Sequence, residues 1–208
     1  MPGDTAGNLV LASHLLVAAV VTIGGLLQLL PQIRQRHPRI HRWNGRVFLL
    51  SAVVASVGGL IMVWTRRTGG DASMHIAISL NALLILACAG MALRHALSRR
   101  FDLHRRWALR LFLVVAGGWF FRIGLMFWIV ANQGPVGFDP KTFTGPFLTT
   151  LSFAQYLLPL AVLELYFRAQ RSRRPQAAVA MAAGLGSLTL VMAAGIVAAS
   201  MILWLPKL

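Results

Sequence analysis

The chain has 208 residues, of which 57% are hydrophobic and 12% charged, with a mean hydropathy of +0.69. A soluble domain is about 45–50% apolar and about 25% charged, so a soluble enzyme, a disordered chain and a secreted disulfide scaffold are excluded. The 20 Lys and Arg against 5 Asp and Glu leave a charge of +15; with no basic domain outside the apolar runs, the expected partner is not nucleic acid but the anionic lipid at a cytoplasmic membrane face.

Six apolar runs follow one another, each long enough for a ~30 Å hydrocarbon core at about 1.5 Å per residue. The first covers about 9–30 and ends at Pro31. The residues before it carry Asp4 and no basic residue, so it reads as a span and not as a cleaved signal. The second covers 47–64. The third, 73–93, holds the single cysteine, Cys88, which excludes an internal disulfide. The fourth covers 107–130. The fifth covers 144–167, with a kink expected at Pro159. The sixth, 177–205, is rich in small residues and reads as a packing or membrane-protein partner helix. The expected fold is all-α, a polytopic bundle of six transmembrane helices in a single domain.

The connections set the orientation. Fifteen arginines lie between spans 1 and 2, 3 and 4, and 5 and 6; the other side holds only Arg66, Arg67, Lys141 and Lys207. Basic residues stay in the cytoplasm, which places both termini outside, in a bacterial inner membrane.

Two connections echo each other. The first ends HRWNGR, His41 to Arg46, and the second HRRWALR, His104 to Arg110. His14 precedes His41 by 27 residues and His75 precedes His104 by 29. Spans 1–2 and 3–4 therefore read as a repeated hairpin; the alternative is that Arg and Trp are interface residues.

These residues carry a resemblance. The run GGLLQLLPQIRQRHPRIHRWNGRVFLLSAVVASVGGL and the later FDLHRRWALRLFLVVAGGWFFRIGL resemble the two signatures of a bacterial family of predicted membrane proteins, the domain of unknown function 2306 family. The resemblance covers about residues 11 to 164. It implies that the motif positions are His14, Arg34, His41, Arg42, Trp43, Gly45, Arg46, His104, Arg105, Trp107, Arg110 and Arg122, with Glu164 as a later acidic position. Val47–Phe48 stands where the family often has Tyr, and Ala108 where it often has Met. His75 has no place in the family pattern. The resemblance implies a fold and motif residues, and no reaction.

Ionisable groups inside a bilayer cost about 2.5–3.5 kcal/mol or more, so each needs a partner or a purpose. Arg122 lies about 15 residues into span 4, and a cluster of His14, His75, Asn81, Arg122 and Gln155 in the outer half is one arrangement that depth allows. Arg122 reads either as a group bonded to carbonyls or as an anchor for a haem propionate, a quinone carbonyl or a lipid phosphate. Glu164 reads either as the salt-bridge partner of Arg42, Arg46, Arg106 or Arg110, or as a proton-relay carboxylate. His37 and His95 read as loop and helix-end residues.

The histidines stand at two levels, His14 with His75 near the outer face and His41 with His104 near the inner. Helical bundles bind cofactors between facing helices, and haem iron accepts histidine. The leading expectation is a b-type haem, or quinone-linked, electron-transfer protein, with His14, His75, His41, His104 and Arg122 as cofactor residues and no metal beyond haem iron. An accessory subunit of a membrane complex and a transporter or lipid-handling protein are the alternatives. No GxSxG, HExxH, Walker loop or GxGxxG supports a soluble-enzyme chemistry.

Overall fold

Where no water reaches the backbone, every N–H and C=O must be satisfied within its own segment, and apolar runs become helices. The computed structural model describes residues 5–65 and 70–204, and the side chains of 16, 17, 19–65 and 70–202. The helices are α1 Thr5–Leu29, α2 Pro31–Arg36, α3 Pro38–Thr65, α4 Ala72–Leu97, α5 Phe101–Val115, α6 Gly117–Ala131, α7 Pro146–Arg171 and α8 Pro175–Ala199, with a π-helical turn at Ser200–Trp204. Among the described residues there is no strand, only an isolated bridge between Asp139 and Thr144.

Four helices, α3, α4, α7 and α8 continued to Ile202, are long and apolar enough to cross a bilayer, and α5 with α6 makes a fifth if the bent pair is one span. The expected sixth, 9–30, falls on α1. That helix is 25 residues long, but the apolar stretch judged for crossing is Ala19–Leu29 alone. Most of the remainder of that span, 9–15 and 18, lies outside the described side chains. So do Asp4, Arg66, Arg67 and Lys207 of the charge pattern.

Three features differ from the sequence expectation. Span 2 was expected to start at 47, yet α3 starts at Pro38, so the whole HRWNGR motif is helical. Proline opens it without loss, because the first helical N–H has no intrahelical partner. The connection before it contains a further short helix, α2, again opened by a proline. Span 4 was expected as one straight helix; it is two, bent by 48° at Ala116. Gly117 and Gly118 follow the bend, and glycine is among the recurrent causes of sharp helix kinks. By contrast, α7 runs unbroken through Pro159.

The packing runs in sequence order. α1 lies on α3, α3 on α4 and α4 on α5, while α7 packs against α4, α5 and α6. α8 rests mainly on α6 and more lightly on α7. One core joins Phe48, Cys88, Ala89, Leu111, Val114 and Tyr156, the last only 1% exposed. A second, around Met74, Leu125 and Leu148, takes in Phe138, Phe143 and Phe147 at the α6–α7 connection. There Trp128 stacks on Phe147 at 4.4 Å and donates its indole N–H to Val136 O at 2.8 Å. In this connection the Asp139 carboxyl is held below the usual carboxylate range by the Lys141 backbone N–H and the Thr142 hydroxyl.

Candidate functional site

The starts of α3 and α5 and the ends of α4 and α7 meet at one end of the bundle, the arginine-rich end. Both motifs build the same device there. Arg46 lies over the Trp43 ring at 5.0 Å, and Arg110 lies over Trp107 at 4.8 Å. In each case the arginine follows its tryptophan by three residues, so one helical turn stacks the pair. The stack gives a cation an apolar neighbour without burying the charge. Trp43 is exposed, whereas Trp107 is partly buried against the core.

The two arginines then diverge. Arg110 donates from Nε to Glu164 Oε1 at 2.8 Å, tying α5 to α7. Of the four partners weighed for Glu164, the structure selects Arg110. The Phe167 ring sits beneath both Arg106, at 5.1 Å, and Arg110, at 5.5 Å. Arg42, Arg46 and Arg105 are exposed and have no ion pair among the described residues. Gly45 faces the Gln28 amide, with room for ordinary contact. Gln28 Nε2 donates to His41 O at 2.9 Å, and Asn44 Nδ2 to Gly24 O at 2.8 Å, so side-chain amides pin the start of α3 to α1.

His41 and His104, 63 residues apart in sequence, stand in the first turns of α3 and α5 at the arginine-rich end of the bundle. His104 Nδ1 lies 2.9 Å from Ala92 O. A carbonyl only accepts, so Nδ1 is the donor, and in the neutral ring Nε2 is left with its lone pair. His41 Nδ1 is buried with no hydrogen-bond partner. His95 stands in the last turn of α4, at a helix end as expected, yet it is only 8% exposed, and its Nδ1 is likewise buried without a partner. It precedes His104 by nine residues, across the three-residue connection 98–100. Among the described residues no three His, Cys, Asp or Glu gather to hold a metal ion directly.

Halfway along the helices lies a polar layer. At the bend, Asn81 Nδ2 donates to Val114 O at 3.2 Å, a carbonyl at the end of α5. A Cβ on Gly117 would stand 3.1 Å from Asn81 Nδ2 and 3.5 Å from Gln155 Oε1, so these two amides close on the same point. Pro159 lacks the N–H that would bond the Gln155 carbonyl. Asn81 Oδ1 and the Tyr156 hydroxyl are buried with no partner.

Of the rest of the expected outer cluster, Arg122 does not join them. Arg122 is exposed and turns back along α6, its Nη1 donating to Gly118 O at 3.2 Å. His75 sits edge-on to Trp64 at 6.2 Å. His14 lies on α1, and its side chain is outside the described residues.

A family model described as predicted membrane protein (DUF2306) matches residues 11–166, which span both histidine–arginine–tryptophan motifs. No curated protein and no solved structure matches the chain.

Proposed function

The chain belongs to this family of predicted membrane proteins, and within that frame we propose that it is a b-type haem protein that carries electrons in the membrane. The supporting observation is the His41–His104 pair. His41 at the start of α3 and His104 at the start of α5 stand at the same end of the bundle, and the Nδ1–H of His104 is already committed to Ala92 O. A ligating imidazole characteristically donates its other N–H to a carbonyl, which fixes the ring and its tautomer. His104 would therefore present Nε2, and His41 the second nitrogen. Two histidines match the axial needs of haem iron and fall short of the four ligands of a structural zinc site.

Bound haem would supply a one-electron couple. Arg46, stacked on Trp43 and free of an acid partner among the described residues, is positioned for a propionate. Arg110 holds α5 to α7 through Glu164 and keeps the ligand-bearing helix in register. The fifteen arginines favour a cytoplasmic position for His41 and His104, with both termini outside.

A second reading has its own support. A broken helix with buried, unpartnered polar groups halfway across is the arrangement transporters use for solute sites, and the layer at Asn81, Gln155 and Tyr156 has that form. One experiment separates the two. The detergent-purified protein is scanned oxidised and dithionite-reduced. Soret and α bands at one or more haems per chain are expected. A protein colourless even after expression with haem precursor would remove the haem function and leave the polar layer as the candidate site.

A further inference from the structure

We propose that the seam between α7 and α8 holds one anionic phospholipid, with its phosphate at Arg168 and an acyl chain lying along α8. The seam is an open apolar groove of about 500 Å³, lined by Val162, Leu165, Met181, Gly184 and Leu188, with Arg168 also on its lining. Ligand clefts run from about 300 to 1,000 Å³. A Cβ on Gly184 would meet nothing within 4 Å, so the groove is open space and not a tight helix contact.

Its length fits one leaflet. From Ala177 to Leu188, the α8 residues that line it, the rise is ~17 Å, against about half of a ~30 Å hydrocarbon core. A partner helix crossing the whole bilayer would need a track twice as long.

Its charge fits an anion. Arg168 lines the groove, and Arg171, Arg173 and Arg174 are exposed at the same end. None of them has an ion pair among the described residues. No Asp or Glu follows Glu164 in the sequence, and Glu164 is already paired with Arg110. A second copy of the chain docked about a two-fold axis on this seam would bring the same arginines against each other, which is unfavourable. A lipid phosphate supplies the missing charge, and its chain covers the apolar wall.

The test is native mass spectrometry of delipidated protein given phosphatidylglycerol or phosphatidylcholine. One phosphatidylglycerol per chain is expected, retained about five-fold better than phosphatidylcholine, and Arg168→Gln should remove that preference. Gly184→Phe fills the groove and should abolish the adduct. Gly186→Phe, also facing open space but outside the groove, should keep it. Equal retention of the two lipids by the wild-type chain would overturn the proposal, as would wild-type binding by Gly184→Phe. A dimer that Gly184→Phe turns into a monomer would give the seam to a second copy instead. All these readouts are masses, so they stand apart from whether the protein binds haem.

Discussion

Replacing His104 by alanine is expected to strip the protein of haem while leaving it folded. The ring is half-buried, and its one hydrogen bond is to a carbonyl of α4, so its removal costs the fold little. As an axial ligand, however, its loss removes a bond to iron. Even outer-shell partners of a metal site change affinity by about 10–100-fold, so haem occupancy should fall at least about ten-fold. His41→Ala should behave in the same way, because its nitrogen is the other half of the pair. His37→Ala, four residues earlier on an exposed position, should leave occupancy unchanged. His95→Ala separates a neighbour from a ligand: full haem content there keeps His95 in a structural role. Pyridine haemochrome content per chain, measured across the four variants, reads all of this. Wild-type occupancy in His104→Ala would exclude the residue as a ligand.

Gly195→Val is expected to force α8 away from α6 and to destabilise the fold strongly. Gly195 is buried where α8 crosses α6, and a Cβ there would drive into the Ile123 side chain and come within 2.9 Å of Ile123 O. A backbone carbonyl cannot swing aside as a side-chain end can, so the helices must separate. Overpacking costs about 1–3 kcal/mol, and a contact against backbone belongs at the top of that range. At about 2–4 °C per kcal/mol for a chain of this size, the melting temperature in detergent should drop by roughly 6–12 °C. Gly186→Val on the same helix faces open space and should melt within about 2 °C of the wild type. Equal melting of Gly195→Val and wild type would mean that α8 does not pack on α6 as described.

The apolar runs were legible because the bilayer requirement is one-dimensional: enough consecutive apolar residues make a helix, whatever faces them. What happens at the ends and at the breaks was not. The start of α3 at Pro38 was hidden because the segment to Arg46 is polar, and hydropathy cannot tell a polar helix turn from a loop. The bend at Ala116 was hidden because apolarity continues straight through AGGWFF. Asn81, whose amide bonds the Val114 carbonyl beside the bend, comes from another helix.

Arg122 shows a further limit. Its depth along the sequence is plain, but its direction depends on the rotation of an almost uniformly apolar helix, and the structure turns it outward to Gly118 O. The two HR–W–R motifs fared differently. Their spacing put arginine one turn after tryptophan, and the stacked pairs follow from that local geometry. The choice of Arg110 over Arg46 for Glu164 depends on which helix lies beside α7, a tertiary fact outside the motifs themselves.

The most direct test is electron paramagnetic resonance of the oxidised wild-type protein at low temperature. Haem iron held by His41 from α3 and His104 from α5 should give the low-spin ferric signal of two axial imidazoles, and that signal should be lost in His104→Ala. A high-spin signal unchanged by that substitution, or no haem iron signal at all, would contradict it.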